Sequence, residues 1–218
     1  LPLDGIESIA RQLTSQLKET QFRLNSKVKE VRKGEVELSD GEIIEAKQII
    51  IAADPQKMYP QLVQDLAWND TQQYYFSATK NPFPKGFITL SFAADGLISN
   101  LAVLSDVAPS YAPKGKHLIS VSIRSQQAKS DNKIEDEIKR ELISSGYENV
   151  RDWELIKNFK VRKALPKLEN NAYTRPFEES RIGEGIYLAG DHLLNPSLNG
   201  AMESGELAAR ALILNHNN

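Results

Sequence analysis

The sequence from Ile186 to Leu214, IYLAGDHLLNPSLNGAMESGELAARALIL, predicts a strand, a turn and a helix in that order. The apolar residues at its start are numerous enough for a short buried strand, which Gly190 and Asp191 end. Ser197 or Asn199 is the expected N-cap of the helix, because such side chains accept hydrogen bonds from the free N–H groups of a first turn. The helix is expected to continue to the end of this stretch.

Two properties of this helix need a physical explanation. Its first turn carries no acidic side chain, so its free N–H groups can receive an external anion or a carbonyl oxygen. Small residues also recur at spacings of three and four, which puts them on one face where another backbone can approach closely. These small residues are Gly200, Ala201, Ser204, Gly205 and Ala208. A helix packed tightly on a sheet, with nothing bound, explains the same spacing, and the spacing alone leaves both interpretations open.

The whole stretch closely resembles the C-terminal FAD-binding segment of the flavin-containing amine oxidase superfamily. The similarity extends over AGD at 189–191, the short loop, SLNGA at 197–201 and SGELAA at 204–209. This superfamily includes monoamine oxidases, protoporphyrinogen oxidase and the phytoene desaturase-like enzymes. The resemblance implies that Asp191 contacts the ribityl and pyrophosphate part of FAD and that the helix start lines the flavin edge. The residues it assigns to the cofactor here are Gly190, Asp191, Ser197, Leu198, Asn199, Gly200 and Ala201.

The N-terminal part of the chain has the element order of the same superfamily. Apolar residues at helical spacing predict a helix over 6–20, and the next segment predicts a strand over 22–31. An Asp-Gly pair between two short alternating segments indicates a hairpin, and the apolar run 48–53 predicts a strand buried in a parallel sheet. The resemblance implies that the backbone of Val28 touches the adenine of FAD. A strand residue with no ligand is the alternative.

The middle of the chain predicts a different architecture. Apolar spacing predicts helices over 58–68 and 131–145, and the charges of the second helix are expected to form a solvated face. The expected strands cover 74–76, 86–94, 97–104, 117–124 and 150–166. In the superfamily the substrate domain occupies this part of the chain. The resemblance implies that residues 163–167 lie near the active site.

The expected fold class is therefore α/β with an α+β insertion. Residues 1–55 and 181–218 are expected to form the C-terminal part of a Rossmann-like FAD domain and to pack together in space. Residues 56–180 are expected to form an antiparallel-sheet substrate domain.

The superfamily's N-terminal signature, a G-x-G-x-x-G turn between a strand and a helix, does not occur in this sequence. The nearest string, GEGIYL at 183–188, lacks the third glycine and precedes a strand, so it predicts a turn. We therefore expect the chain to be the C-terminal part of a longer oxidoreductase that retains FAD weakly or not at all by itself. Its uncovered apolar faces and strand edges are expected to favour self-association.

Composition excludes several classes of function. A net charge of −2, from 27 basic and 29 acidic residues, argues against a nucleic-acid binder. The absence of cysteine excludes disulfides, thiolate metal sites and covalent flavin attachment through cysteine. The three histidines are far apart in sequence, and no metal site is expected. The sequence shows no secretory signal and no apolar run long enough for a membrane span, so a cytoplasmic location is expected, with peripheral membrane association as an alternative.

The expected function is that of a fragment of an FAD-dependent oxidoreductase, amine oxidase-like or desaturase-like, that removes hydride from its substrate to the flavin. The flavin carries the difficult step, and the sequence identifies no catalytic residue. His192 is interpreted as a surface loop histidine, with a position near the cofactor as the alternative. Lys163 and Lys167 are interpreted as solvated, with pairing to an acidic or phosphate group as the alternative. The helix start is closest to the desaturase and protoporphyrinogen oxidase branch, which implies a largely apolar small-molecule substrate, often of the large isoprenoid or tetrapyrrole kind. The alternative is a catalytically silent module that pairs with a partner supplying the phosphate loop.

Overall fold

A computed structural model describes residues 1–59, 62, 66–91, 95–124 and 133–216, without the side chains of Lys57 and His216. The described strands are β1 (Val28–Arg32), β2 (Glu35–Leu38), β3 (Ile43–Glu45), β4 (Ile49–Ile51), β5 (Trp68–Ala78), β6 (Ile88–Leu90), β7 (Ile98–Val103), β8 (His117–Ile123), β9 (Glu154–Pro166), β10 (Arg181–Gly183) and β11 (Ile186–Leu188). The described α-helices are α1 (Glu7–Gln16), α2 (Leu104–Val107), α3 (Ile134–Ser144) and α4 (Leu198–His216). The combination of α-helices with parallel and antiparallel strands confirms the expected mixed α/β class.

The chain divides into two compact units. Unit I comprises Leu1–Thr20 and Asp70–Arg162, and unit II comprises Gln21–Asn69 and Lys163–Asn218. The N-terminal helix therefore groups with the middle of the chain, whereas the sequence interpretation grouped it with residues 21–55. Which unit holds cofactor and which holds substrate stays a prediction.

Unit I is built on an antiparallel sheet with the strand order β6-β7-β8-β5-β9. Alternate residues of β5 are buried from Gln72 onward, as expected for a strand with one face on a core. Phe76, Ile119 and Ile138 of α3 are completely buried in this core. Apolar burial between a sheet and an amphipathic helix accounts for the fold of this unit.

One prediction about the middle of the chain is wrong, and another has an exception. The helix expected over 58–68 does not reach its predicted end, because Trp68 already begins the 11-residue strand β5; residues 60, 61 and 63–65 lie outside the described part. The charged face of α3 is not simply solvated, because the Glu141 carboxylate accepts hydrogen bonds from the N–H groups of Leu97 (2.7 Å) and Ile98 (3.2 Å). Glu141 thereby fixes the start of β7 to the helix.

The other expected elements are present with shifted ends. The helix expected over 6–20 ends at Gln16, and the strand expected over 22–31 begins only at Val28. The ends of the segments predicted at 86–94 and 131–145 include residues outside the described part, namely 92–94, 131 and 132. The first and last residues of helices and strands depend on capping groups and neighbouring residues, which the periodicity of the sequence does not predict.

Unit II contains two small sheets. β1, β2 and β3 form an antiparallel meander, which confirms the hairpin predicted around Gly41. The second sheet has the order β10-β11-β4, and β11 pairs in parallel with β4, with Ile186 opposite Ile49 and Leu188 opposite Ile51. This pairing brings residues 49–51 next to residues 186–188.

The turn between β10 and β11 contains the Gly-Glu-Gly string, as predicted. None of the helices in the described parts of the chain combines the length and the apolar composition needed to cross a bilayer.

Candidate functional site

The carboxyl ends of two parallel strands bring polar side chains together in unit II. Asp54 follows β4 closely, and Asp191 and His192 follow β11. The pairing continues past the strands, because the N–H of Ala189 donates to the carbonyl of Ile51 (2.9 Å). Ligands of open α/β sheets bind at the carboxyl ends of the strands, so this edge is the candidate site.

Asp54 is held by two hydrogen-bond donors. Lys163 forms an ion pair with its Oδ2, and the backbone N–H of Gln56 donates to its Oδ1 (3.2 Å). Partial burial acts to raise the pKa of Asp54, but these donors outweigh it and the pKa lies below its ordinary value. Asp54 is therefore an anion at neutral pH. Lys163 also lies over the ring of Trp68, 5.1 Å from the ring centroid. Its side chain stays exposed, and Asp54 is the acidic partner that the sequence left as the alternative to solvation.

His192 is buried, with only 7% of its surface exposed, and the interpretation as a surface loop histidine is wrong. Its ring lies against Gly190, where a Cβ would stand 2.4 Å from the His192 Nδ1. Only a residue without a side chain fits there. Burial lowers the pKa of His192 below its ordinary value, although the nearby carboxylates of Asp191 and Asp54 oppose this shift. Its Nε2 is buried and has no hydrogen-bond partner among the described residues.

The first turn of α4 is capped by Ser197. The Ser197 Oγ accepts a hydrogen bond from the N–H of Gly200 (3.0 Å), and the Ser197 carbonyl accepts one from Ala201 (3.0 Å). Of the two predicted caps the structure therefore selects Ser197. The side chains of Leu198 and Asn199 are exposed, and their N–H groups make no hydrogen bond to another described residue. A helix start of this kind, with no acidic side chain in its first turn, can receive an anion or a carbonyl oxygen.

The face of small residues on α4 separates into two parts. Gly200, Ser204 and Ala208 are buried within unit II, whereas Ala201 and Gly205 are half-buried. The Ser204 Oγ accepts a hydrogen bond from the N–H of Gly190 (2.9 Å). This bond ties the end of β11 to the helix.

A carbonyl group occupies the space next to Gly200. A Cβ on Gly200 would stand 2.4 Å from the carbonyl oxygen of Asn195. The site loop therefore packs directly on the helix backbone. By contrast, a Cβ on Gly205 would have nothing within 4 Å.

Val28 lies on β1 opposite Leu38. It is half-buried and packs on the cluster that contains Ile51 and Leu188. All eight residues assigned to the cofactor therefore lie in unit II. Gly190, Asp191 and the residues 197–201 are joined by the loop and the helix start, while Val28 lies in the separate meander. Their role in binding FAD stays a prediction.

Sequence reasoning missed three members of the site: Asp54, Trp68 and Asn195. Asp54 had a usable signal, since a carboxylate directly after a buried parallel strand lies at the edge where ligands bind. Trp68 was hidden by the incorrect helix. In the predicted segment 163–167, Lys167 is fixed by its N–H, which donates to the carbonyl of Ala67 (2.8 Å). The described residues contain no group of three or more His, Asp or Glu side chains placed to hold a metal ion.

The outer face of the unit I sheet carries a polar network across three strands. The Gln73 Nε2 donates to the Ser122 Oγ (2.6 Å), and the Ser122 hydroxyl donates to the Asn100 Oδ1 (3.0 Å). Two residues further along β5, Tyr75 contacts Phe159 of β9 edge to face, with ring centroids 5.8 Å apart. This face therefore combines hydrogen-bonding groups with an apolar rim.

The unit II residues fit part of an FAD molecule. At Gly190 and Gly200 the lack of a side chain allows neighbouring groups to lie close to the backbone. The buried His192 Nε2 and the free N–H groups of Leu198 and Asn199 leave hydrogen-bonding capacity unused near the strand edge. The phosphate-binding glycine turn is not in this sequence. The residues present can thus contact only a portion of the cofactor.

Comparison with known proteins gives the family. Residues 1–213 match the family model of flavin-containing amine oxidoreductases. No curated protein matches the sequence.

Solved structures share the fold at low sequence identity. A wild-type putrescine oxidase bound to putrescine superposes with a TM-score of 0.69 and 14% identity, over 97% of this chain and 53% of that one. A putative protoporphyrinogen oxidase from Exiguobacterium sp. 255-15 superposes with a TM-score of 0.66 and 17% identity, over 97% of this chain and 52% of that one. A reduced UDP-galactopyranose mutase superposes with a TM-score of 0.66 and 12% identity, over 89% of this chain and 48% of that one. The chain thus spans about half the length of these structures.

Proposed function

Because the chain belongs to the family of flavin-containing amine oxidoreductases, we propose that it is the C-terminal part of an FAD-dependent oxidoreductase. The reaction would be removal of hydride from a substrate C–H bond to the flavin. The observation that carries the proposal is the junction at Gly190, where the end of β11 is tied to Ser204 of α4, a helix whose first turn has free N–H groups. Such a junction suits the anionic and carbonyl groups of a dinucleotide cofactor.

Each site residue has a proposed task. The flavin would supply the hydride acceptor. The half-exposed Asp191 carboxylate would accept hydrogen bonds from ribityl hydroxyls, and the N–H groups of Leu198 and Asn199 would donate to carbonyl oxygen of the ring. Ser204 would hold the Gly190 backbone in place, and Asn195 against Gly200 would keep the helix start at a fixed distance from the loop.

The substrate proposal rests on unit I. A largely apolar small molecule with one polar group would match the outer sheet face, because its centre offers the half-buried amide side chains of Gln73 and Asn100. Its rim offers Tyr75 and Phe159. We propose no general base, and the family resemblance requires none.

The test is an FAD titration of two polypeptides, this chain and the product of the whole reading frame. Flavin fluorescence quenching and the visible absorption spectrum give the dissociation constant. We expect tight binding by the whole product and weak or no binding by this chain. Asp191→Ala should weaken binding by the whole product about 10-fold or more, an estimate equal to one charge-assisted hydrogen bond. The control, Asp95→Ala at an exposed position of unit I, should leave it unchanged.

Two results would contradict the proposal. Absence of FAD binding by the whole product would remove the oxidoreductase function. It would favour the silent module, which is supported by the edge of β4 that pairs with no other described strand. In that case a partner carrying a phosphate loop should restore flavin binding. If Asp191→Ala and Asp95→Ala reduced FAD affinity equally, the proposed contact between Asp191 and FAD would be refuted.

A further inference from the structure

Unit II contains a cavity at the other end of its parallel strands from the candidate FAD site. The cavity has a volume of about 230 Å³ and is lined by Lys33, Lys47, Gln48, Arg181, Glu184 and Gly185 among others. Lys47 and Gln48 immediately precede β4, and Glu184 and Gly185 immediately precede β11. Since Asp54 and Gly190 follow the same two strands, this cavity is separate from the candidate FAD site.

Positive charge predominates around the cavity. Lys33, in the turn between β1 and β2, forms an ion pair with Glu184 (2.6 Å). Arg181 donates its Nε to the carbonyl of Gly183 (3.3 Å), which leaves its terminal nitrogens available. Lys47 makes no ion pair with any residue in the described part of the chain. Three cations therefore face one carboxylate, and the cavity favours an anion.

A buried acceptor adds a second requirement. The Oε1 of Gln48 is buried and accepts no hydrogen bond from any described residue. The wall beside it is formed by Gly185, whose φ of +69° suits glycine. A Cβ at this position would stand 3.0 Å from the Lys47 carbonyl and 3.6 Å from the Gln48 Oε1. Buried polar atoms are normally paired, so a ligand here should donate a hydrogen bond as well as carry negative charge.

We propose that this cavity binds a phosphate group: its anionic oxygens would accept from Lys47 and Arg181, and an O–H of the same molecule would donate to Gln48. Monohydrogen phosphate has both features. A phosphate monoester of a polyol has them too, with a sugar-type hydroxyl as the donor. A carboxylate or a sulfate dianion supplies the charge without the donor. A bound phosphate would connect the β1–β2 turn, the start of β4 and the β10–β11 turn, and so stabilise unit II.

The experiment is a calorimetric titration of the purified chain with inorganic phosphate at pH 7 and constant ionic strength, with glycerol 3-phosphate and sulfate in parallel. We expect saturable phosphate binding, and sulfate binding at least about 5-fold weaker, a ratio that corresponds to one neutral hydrogen bond. Tighter binding of glycerol 3-phosphate than of phosphate would identify a monoester as the ligand, and the reverse order would identify the free ion.

Variants make the assignment specific. Lys47→Ala and Arg181→Leu should each weaken phosphate binding about 10-fold, as expected for the loss of one charge-assisted contact. Gln48→Leu should abolish the preference for phosphate over sulfate. The matched control is Lys27→Ala, an exposed lysine of unit II at the far end of β1 from Lys33, which should bind phosphate like the unmodified chain.

Three results would overturn the proposal. The first is the absence of saturable binding up to about 20 mM phosphate, which is about the weakest affinity of interest. The second is equal affinity for sulfate and phosphate. The third is an equal change in phosphate affinity for Lys47→Ala and Lys27→Ala. A Gln48 or Arg181 variant that fails to fold leaves Lys47→Ala to decide, because its side chain is exposed. The titration contains no flavin, so its outcome is independent of the proposed oxidoreductase function.

Discussion

Two glycines of α4 predict opposite effects of the same substitution. Gly200→Ala would place a Cβ 2.4 Å from the Asn195 carbonyl oxygen, whereas Gly205→Ala would place one in open space. Both positions are helical, so both substitutions gain about 1 kcal/mol of helix propensity. Only the first must move a neighbouring backbone group.

The cost at Gly200 follows from what the Asn195 carbonyl does. This carbonyl accepts from the N–H of Ser197 (2.7 Å), and the Asn195 side chain accepts from the Ser197 hydroxyl. Displacing it disturbs the N-cap, which is worth about 1 kcal/mol, and the overpacking costs about 1–3 kcal/mol. After subtraction of the propensity gain, we expect Gly200→Ala to destabilise unit II by about 1–3 kcal/mol. Gly205→Ala should stabilise it by about 0.5–1 kcal/mol.

Urea unfolding followed by tryptophan fluorescence measures both effects. A Trp153→Phe background leaves Trp68 as the single fluorophore, since the protein has two tryptophans. The midpoint shift at constant slope gives the change in the free energy of unfolding. If Gly200→Ala were as stable as the parent, or shifted in the same direction as Gly205→Ala, the close packing of the loop on the helix would be refuted.

Three further predictions concern the strand edge. Ser204→Ala leaves the part-buried N–H of Gly190 without its partner, so the free energy of unfolding should fall by about 1 kcal/mol. Faster amide exchange of Gly190 would confirm the cause, and unchanged exchange would contradict it. His192 has a lowered pKa in the folded protein, so stability should be fully present above pH about 6.5 and fall as pH decreases towards the folded pKa, with a slope of at most about 1.4 kcal/mol per pH unit. His192→Gln should remove this pH dependence of the free energy of unfolding, measured by urea unfolding between pH 5 and 7, a range around the ordinary histidine pKa of about 6.5. If the pH dependence persisted, another group would be its cause. Lys163→Met should reduce the stability that ionised Asp54 contributes at neutral pH, so that less stability is lost on acidification, because burial then acts against ionisation with one donor fewer and the pKa of Asp54 rises. A carbon NMR titration of the Asp54 carboxyl measures this, and an unchanged pKa would show that the ion pair with Lys163 does not control it.

Local pattern predicted the parts of the structure that local chemistry determines. The hairpin around Gly41, the buried strand β4 and the helix α4 with its Ser197 cap each follow from residues within a few positions of one another. The resemblance of the C-terminal segment to a flavin family is borne out by the family match.

Distant contacts explain the errors. His192 was interpreted as exposed because it lies in a polar loop, but its burial depends on Gly190 having no side chain to occupy the same space. For Lys163 the sequence could not decide between solvation and an acidic partner, because that partner, Asp54, is 109 residues away in sequence. Trp68 was assigned to a helix, because the strand it begins is defined by pairing with β8 and not by its own first residues. Such side-chain partners cannot be inferred from spacing.

The parallel pairing of β4 with β11 has a consequence for how the protein folds. The paired residues Ile49 and Ile186 are separated by more than 100 residues, and most of unit I lies between them. Closing so long a loop costs chain entropy before any contact compensates for it, and contacts of this range slow folding. The strands of unit I are contributed by one continuous stretch. We therefore expect unit I to form first and thereby shorten the effective loop, so that the edge with Asp54 and Asp191 is assembled last.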